Sequence, residues 1–256
     1  MEEDLLEVAR EAAEEAGELL LEGREKKREV SHKSGPTDLV TQFDHASQDL
    51  IVSKIREKFP DHSILAEEEV EIEGNDIRWI IDPVDGTTNF VYDYPLFSVS
   101  IAVEIRGDTA VGVVHLPVLC ETFWAIDGKG ARLNGDRVRV SNTGSFEDSL
   151  LVTGFPYEKD LVPQAIEVFS KLTRKTRGIR RDGSAAIDLS FVAAGRLDGF
   201  WELDLSPWDI AAGSLIVREA GGTVTDFQGG EHDIYDSAGI VASNGLIHEQ
   251  FIKRLS

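Results

Sequence analysis

Residues Trp79 to Phe90 read W-I-I-D-P-V-D-G-T-T-N-F, a stretch rich in hard oxygen donors. Asp82 and Asp85 bracket a tight turn, with the carbonyl of Val84 between them and the hydroxyl of Thr87 just beyond. Two carboxylates, a carbonyl and a hydroxyl meeting in one turn suit a small hard cation such as Mg²⁺. The apolar run leading to Asp82 reads as a buried strand reaching a sheet edge. Pro83 has no N–H to donate and is expected to stop ladder pairing there. Gly86 allows close backbone approach, and Thr87 and Thr88 are expected to cap a following helix. The free N–H groups of that helix could hold a phosphate beside the metal. Taken alone, Asp-Pro and Asp-Gly also make an ordinary turn.

Three further acidic segments offer partners, and each has an ordinary reading beside the functional one. Glu67, Glu68 and Glu69 follow the apolar Leu65-Ala66, either as a ligand at Glu67 or as a solvated loop, which suits Glu69 best. Asp209, in W-D-I-A-A-G after Pro207, opens a helix whose small residues let it pack close to something. Its carboxylate could serve only the helix dipole. Asp44 closes the segment from Asp38, where Thr41-x-x-Asp44 resembles a capping box. No histidine or cysteine nucleophile is apparent, and His115, His232 and His248 read as structural or solvated.

These residues need a scaffold, and the chain is long enough to build one. It has 256 residues, 41% hydrophobic, as one large domain or two subdomains. A helix is expected from Asp4 to Gly23 on its apolar spacing, then a polar, basic link from Arg24 to Pro36. A second helix is expected from Asp44 to Phe59, with Leu50, Ile51, Ile55 and Phe59 on one face. Strands follow at Phe97 to Ile105, Ala110 to His115 and Glu121 to Ala125, and Asn134-Gly135 marks a hairpin. The polar stretch Ser141 to Ser149 places a subdomain boundary, dividing 1–143 from 144–256. The second part alternates strands at Leu150 to Val152, Leu197 to Leu203, Gly222 to Asp226 and Gly239 to Ala242 with four helices. Those helices are expected at Val162 to Leu172, Ala185 to Ala194, Trp208 to Ala220 and Ile247 to Leu255. Strands and helices in layers mean an α/β or α+β fold.

Composition narrows the function. The net charge of −21 repels nucleic acid and anionic membranes, and it would repel a phosphate substrate unless bound cations reverse the local field. The acids are dispersed, so they read as a soluble surface, which would also suit a salty cytoplasm. The chain has a single cysteine, Cys120, an acidic start and no apolar run of membrane-spanning length, as expected of a cytoplasmic protein.

The order and chemistry of these segments resemble the inositol monophosphatase family, in the Mg²⁺-dependent, lithium-sensitive phosphatase superfamily. The pair W-I-I-D-P-V-D-G-T-T-N-F and W-D-I-A-A-G carries the resemblance, which extends over nearly the whole chain. It implies a layered αβαβα sandwich of the sugar-phosphatase type, with the metal site between two subdomains. It implies two or three Mg²⁺ ions held by Glu67, Asp82, the Val84 carbonyl, Asp85 and Asp209. Glu67 and Thr87 would orient a water made acidic by metal, and Asp44 would accept the Thr87 proton. The amides of Gly86, Thr87 and Thr88 would hold phosphate oxygens.

On the substrate side, Arg180-Arg181-Asp182-Gly183-Ser184-Ala185-Ala186 resembles the family segment that touches the polyol, and Asp209 would share in substrate binding. Glu202 matches a glutamate that accepts hydrogen bonds from the inositol ring, and otherwise reads as an exposed strand-end carboxylate. Lys33 matches a basic residue on the loop closing over the metals, and otherwise reads as a solvated lysine. Arg181 could instead meet the second phosphate of fructose 1,6-bisphosphate. Thr88 stands where relatives acting on 3′-phosphoadenosine 5′-phosphate often carry lysine. The expected activity is hydrolysis of inositol 1-phosphate by a homodimer, with a fructose-1,6-bisphosphatase or dual-specificity sugar phosphatase as the alternative. A regulatory protein binding RNA polymerase is the alternative of another class.

Overall fold

The computed structural model describes residues 1–33, 35, 39–68, 70–236 and 238–255. Asp38 and Glu69 therefore lie outside the described residues. Seven α-helices are found among them: α1 (Glu2–Arg24), α2 (Gln42–Lys58), α3 (Thr87–Val91), α4 (Val162–Thr173), α5 (Ala185–Ala193), α6 (Pro207–Glu219) and α7 (His248–Leu255). An edge pair, β1 (Val30–His32) and β2 (Leu39–Thr41), stands apart from two larger sheets. The first sheet holds β3 (Ser63–Ala66), β4 (Val70–Ile72), β5 (Ile77–Asp85), β6 (Ser98–Ile105), β7 (Asp108–Leu116), β8 (Glu121–Ile126), β9 (Gly130–Leu133) and β10 (Asp136–Arg137). Its order is β10-β9-β8-β7-β6-β5-β3-β4. The second holds β11 (Leu150–Thr153), β12 (Gly178–Arg180), β13 (Gly199–Glu202), β14 (Thr223–Thr225) and β15 (Ile240–Ser243), in the order β12-β11-β13-β15-β14.

Strand alternation explains the layering. On β5, Trp79 and Ile81 face a core shared with α1 and α2, while Ile80 faces the core of α5 and α6. On the second sheet Val152, Phe200 and Ala242 join that middle core, while Leu151, Trp201 and Val241 meet Val168 and Leu172 of α4 and Phe251 of α7. Both sheets are covered on both faces, so their central strands are buried almost throughout rather than on alternate residues. The result is the αβαβα sandwich. The first sheet uses strands up to β10 and the second those from β11 on, while α5 and α6 lie between the two sheets and belong to the core of both. What the small residues of α6 approach is β7: a Cβ on Gly112 would stand 2.8 Å from the Ala212 carbonyl oxygen.

The expected helices appear within a few residues of their predicted ends. The hairpin turn also appears, with Asn134 at φ 50° and Gly135 at φ 95°. Leu50 is only half-buried, whereas Asp44, Ser47 and Gln48 of the same helix are buried. The short strands β1, β4 and β12 were not legible. None of their residues is fully buried, so they leave no period to read.

Candidate active site and metal centre

The acidic turn is built differently from the sequence expectation. Strand β5 does not stop at Pro83 but runs on to Asp85. Its pairing shifts between Asp82, opposite Ser100, and Asp85, opposite Ser98, leaving one extra residue on β5. This bulge absorbs the proline, whose missing N–H would have broken a regular ladder. Residues three apart on a regular strand face opposite ways, and the extra residue brings Asp82 and Asp85 to one cleft. The N–H of Val84 donates to Asp82 Oδ1 at 3.0 Å.

The threonines do not cap α3. Gly86 is the N-cap, at φ 94°, and a Cβ there would stand 3.1 Å from the Leu96 carbonyl oxygen and 3.2 Å from that of Gly183. Left-handed backbone and crowding both require glycine. Thr87 opens the helix, and its hydroxyl lies 3.0 Å from Asp44 Oδ1 and 3.0 Å from the Val84 carbonyl. One proton serves one acceptor at a time, so donation to Asp44 leaves the Val84 carbonyl for a cation. Asp44 also caps α2: its Oδ2 accepts from the Thr41 N–H at 2.9 Å and the Thr41 hydroxyl at 2.6 Å. One carboxylate thus caps α2 and accepts from Thr87 at the same time.

Asp82, Asp85 and Asp209 each offer one carboxylate oxygen within 4.8 Å of the others. Hydrogen bonds to these carboxylates help explain how they are held. Asp85 Oδ2 accepts from the Ser184 hydroxyl at 2.5 Å and the Ala186 N–H at 2.8 Å, at the start of α5. Asp209 Oδ2 accepts from the Ser206 N–H at 2.7 Å, capping α6, so it too serves its helix and the cleft. Glu67 lies beside Asp82; its Oε1 meets the Lys33 ammonium at 2.8 Å, and its Oε2 is buried without a partner. Lys33 also meets Glu68 Oε1 at 2.5 Å, so it is not a solvated side chain. Burial works to lower its pKa, but the two glutamates outweigh it and hold the ammonium charged.

Burial raises the pKa of Asp82, Asp85 and Asp209, and their neighbours' charges add to it at Asp82 and Asp209. Asp85 reaches only about 6, because its hydrogen bonds from Ser184 and Ala186 oppose burial. Asp44 is also raised by burial, against the bonds from Thr41 and Thr87. An all-oxygen donor set of crowded, buried carboxylates is one a divalent hard cation would satisfy. The residues fit Mg²⁺.

The cleft, about 550 Å³, continues from this cluster into the second sheet. Glu67, Asp82, Val84, Asp85, Gly86, Thr87, Thr88 and Asp209 line one part, and Arg181, Gly183, Ser184, Ala185 and Glu202 the adjoining part, with Ser184 directly against Asp85. Ser184 is nearly buried, its hydroxyl taken by Asp85. Glu202 is no exposed carboxylate: it is buried, beside the Gly154 N–H, and burial pushes it up to about 8. At neutral pH it is a neutral acid that can donate as well as accept. Asn89 ties the two ends, its Nδ2 donating to the carbonyls of Leu96 at 2.6 Å and Asp182 at 2.8 Å.

Asp188 of α5 also lines the cleft and was missed in the sequence. It is 1% exposed, its Oδ1 has no partner, and burial holds its pKa well up. A signal existed: it is the single acid in the otherwise uncharged A-A-I-D-L-S-F-V-A. The histidines stand outside the cleft lining. His115 bonds to Thr122 at 2.9 Å, and His248 to Thr225 and Ser243, each at 2.9 Å. His232 is buried.

The whole chain, residues 1–256, matches the inositol monophosphatase family, and the protein belongs to it. A protein of Pasteurella multocida named Nus factor SuhB is 44% identical over 255 residues, spanning 98% of this chain and 95% of that one. The solved extragenic suppressor protein suhB of Bartonella henselae has a TM-score of 0.95 at 40% identity, covering 99% of this chain and 98% of its own. A Thermotoga maritima IMPase has a TM-score of 0.92 at 42% identity, covering 98% and 96%. Family membership supports phosphatase activity and metal binding. No helix among the described residues is long and apolar enough to cross a membrane.

Proposed function

We propose that the protein is a Mg²⁺-dependent phosphomonoesterase that hydrolyses inositol 1-phosphate, acting as a cytoplasmic homodimer. The observation that supports it most is the convergence of Asp82, Asp85 and Asp209 beside Glu67 and Thr87 at one end of a cleft. Glu67, Asp82, Asp85, Asp209 and the Val84 carbonyl are the ligands of two or three Mg²⁺ ions. Bound there, Mg²⁺ supplies Lewis acidity, acidifying water and offsetting charge on the phosphoryl and leaving oxygens.

The chain's own residues orient the reaction. Thr87 donates its proton to Asp44, which turns the hydroxyl's lone pairs outward to accept from the attacking water. Glu67 accepts the water's other hydrogen bond. The N–H groups of Gly86, Thr87 and Thr88 face the phosphate. Gly183, Ser184 and Ala185 shape the polyol end through backbone and size, and Arg181, Glu202 and Asp209 meet the hydroxyls.

Phosphate release from inositol 1-phosphate, fructose 1,6-bisphosphate and other phosphomonoesters, with Mg²⁺ or EDTA, tests the reading. Mg²⁺-dependent release favouring inositol 1-phosphate is expected. No Mg²⁺-dependent release from any substrate would overturn it. The exposed Arg181 at the polyol end supports fructose 1,6-bisphosphate as a second substrate. The names of the Nus factor relatives support a separate reading, a regulatory protein binding RNA polymerase. In that reading the contact is protein to protein, because a chain of net charge −21 repels RNA.

A further inference from the structure

Helix α2 carries a buried stripe that changes chemistry along its length. Asp44, Ser47, Gln48, Ile51 and Ile55 are spaced to share one helix face. Ile51 and Ile55 enter the core under the first sheet. The stretch before them is polar yet equally buried: Ser47 is 0% and Gln48 2% exposed. Buried polar groups need partners, and here the partners are the segments that bear the acidic ligands. Asp44 holds Thr87, just past Asp85. The Ser47 hydroxyl donates to the Pro83 carbonyl at 2.9 Å, between Asp82 and Val84. Gln48 takes both backbone groups of Glu68: its Nε2 donates to the carbonyl at 3.2 Å, and its Oε1 accepts the N–H at 3.0 Å.

We propose that Gln48 is a positioning residue for the metal site, holding the turn that presents Glu67, with Ser47 holding the Asp82–Val84 peptide in the same way. The inference rests on the reading of Glu67 and Asp82 as Mg²⁺ ligands. Strand β3 ends at Ala66, and the bond from the Glu67 N–H to the Ile81 carbonyl at 3.1 Å continues its tie to β5. One residue later the Glu68 backbone is held by the Gln48 side chain. Without it, the Glu67 N–H bond to Ile81 and the Lys33 ammonium on Glu67 and Glu68 still hold the turn, but nothing among the described contacts replaces the Gln48 pair on the Glu68 backbone. Loss of Gln48 therefore weakens Mg²⁺ binding more than it slows the metal-saturated enzyme.

Gln48→Met keeps length and volume and removes both hydrogen bonds. Full-length protein is stripped with EDTA, then titrated with Mg²⁺ while Tm and phosphate release from inositol 1-phosphate are followed. The Mg²⁺ midpoint should rise roughly tenfold to a hundredfold, as for outer partners of metal ligands generally. Turnover at saturating Mg²⁺ should stay close to wild type. Ser47→Ala, a smaller change that keeps the helix, should raise the midpoint by less. A lower Tm in EDTA with an unchanged midpoint in both variants would make the roles merely structural and overturn the proposal. A wild type whose Tm ignores Mg²⁺ would instead overturn the metal reading beneath it, and the two failures are told apart by that control.

Discussion

At the metal end of the cleft, each buried carboxylate has a donor from the protein. Asp44 takes Thr41 and Thr87, Asp82 the N–H of Val84, Asp85 Ser184 and Ala186, Asp209 the N–H of Ser206, and Glu67 the ammonium of Lys33. In the part of the cleft around Glu202, Asp188 Oδ1 has no partner and Glu202 has one backbone N–H. Both sets are buried, and the difference lies at Asp44 and Asp85, which take two or more donors each where Asp82, Asp209 and Glu202 take one. The metal end has its geometry set before a cation arrives, as electrostatic catalysis requires. Burial raises the pKa of both Asp188 and Glu202, Glu202 to about 8, which favours the neutral acid at Glu202 near neutral pH.

Removing one charge from the tethered end should have the largest effect. Asp85→Asn keeps the shape and the place beside Ser184, and should cut turnover about a thousandfold or more by lost transition-state stabilisation. The rise in Tm with Mg²⁺ should shrink, while Tm in EDTA should hold or increase as like-charge repulsion falls. Near-normal turnover at low Mg²⁺ would remove the metal end from the comparison altogether.

Next in size is the hydroxyl that the tethers orient. Thr87→Val keeps the volume and deletes the donor to Asp44. Turnover at saturating Mg²⁺ should fall about a hundredfold, the lower range for a positioned proton-handling group, with little change in KM. A fall in Mg²⁺ affinity at unchanged saturated turnover would instead make Thr87 a support for the Val84 carbonyl.

The tethered end was also the more legible one in the sequence. Hard oxygen donors cluster by necessity, and the turn, the acids, the capping pattern at Asp44 and the helix-start charge at Asp209 are local. What stayed hidden is long-range. The bulge that lets β5 pass through Pro83 depends on pairing with β6, which no local pattern encodes. Gln48 and Ser47 look like surface residues until the helix is known to turn that face toward the acidic turn. The state of Glu202 depends on burial at the end of β13 in the second sheet. The seven helices announced themselves by period and caps, while short exposed strands such as β1 and β4 had no buried face to betray them.

The untethered end yields the smallest effect on activity and a distinct one on stability. Burial raises Glu202 from an ordinary value of 4.5 to about 8 and raises Asp188 well above 3.8. The folded protein therefore binds these protons more tightly than the unfolded chain does. Their penalty is absent at acid pH, grows as pH rises above the unfolded values, and for Glu202 is complete only once pH passes about 8. In EDTA, Tm should fall as pH rises through that window. Glu202→Gln and Asp188→Asn hold the neutral form permanently, so each should flatten the decline. At pH near 7 the amide in Glu202→Gln imitates the neutral acid already present, and kcat/KM for inositol 1-phosphate should change by less than about tenfold, the worth of an ordinary neutral hydrogen bond. A larger loss at neutral pH, with a pH–Tm profile parallel to wild type, would mean that Glu202 works ionised. The two ends of the cleft would then treat their carboxylates alike.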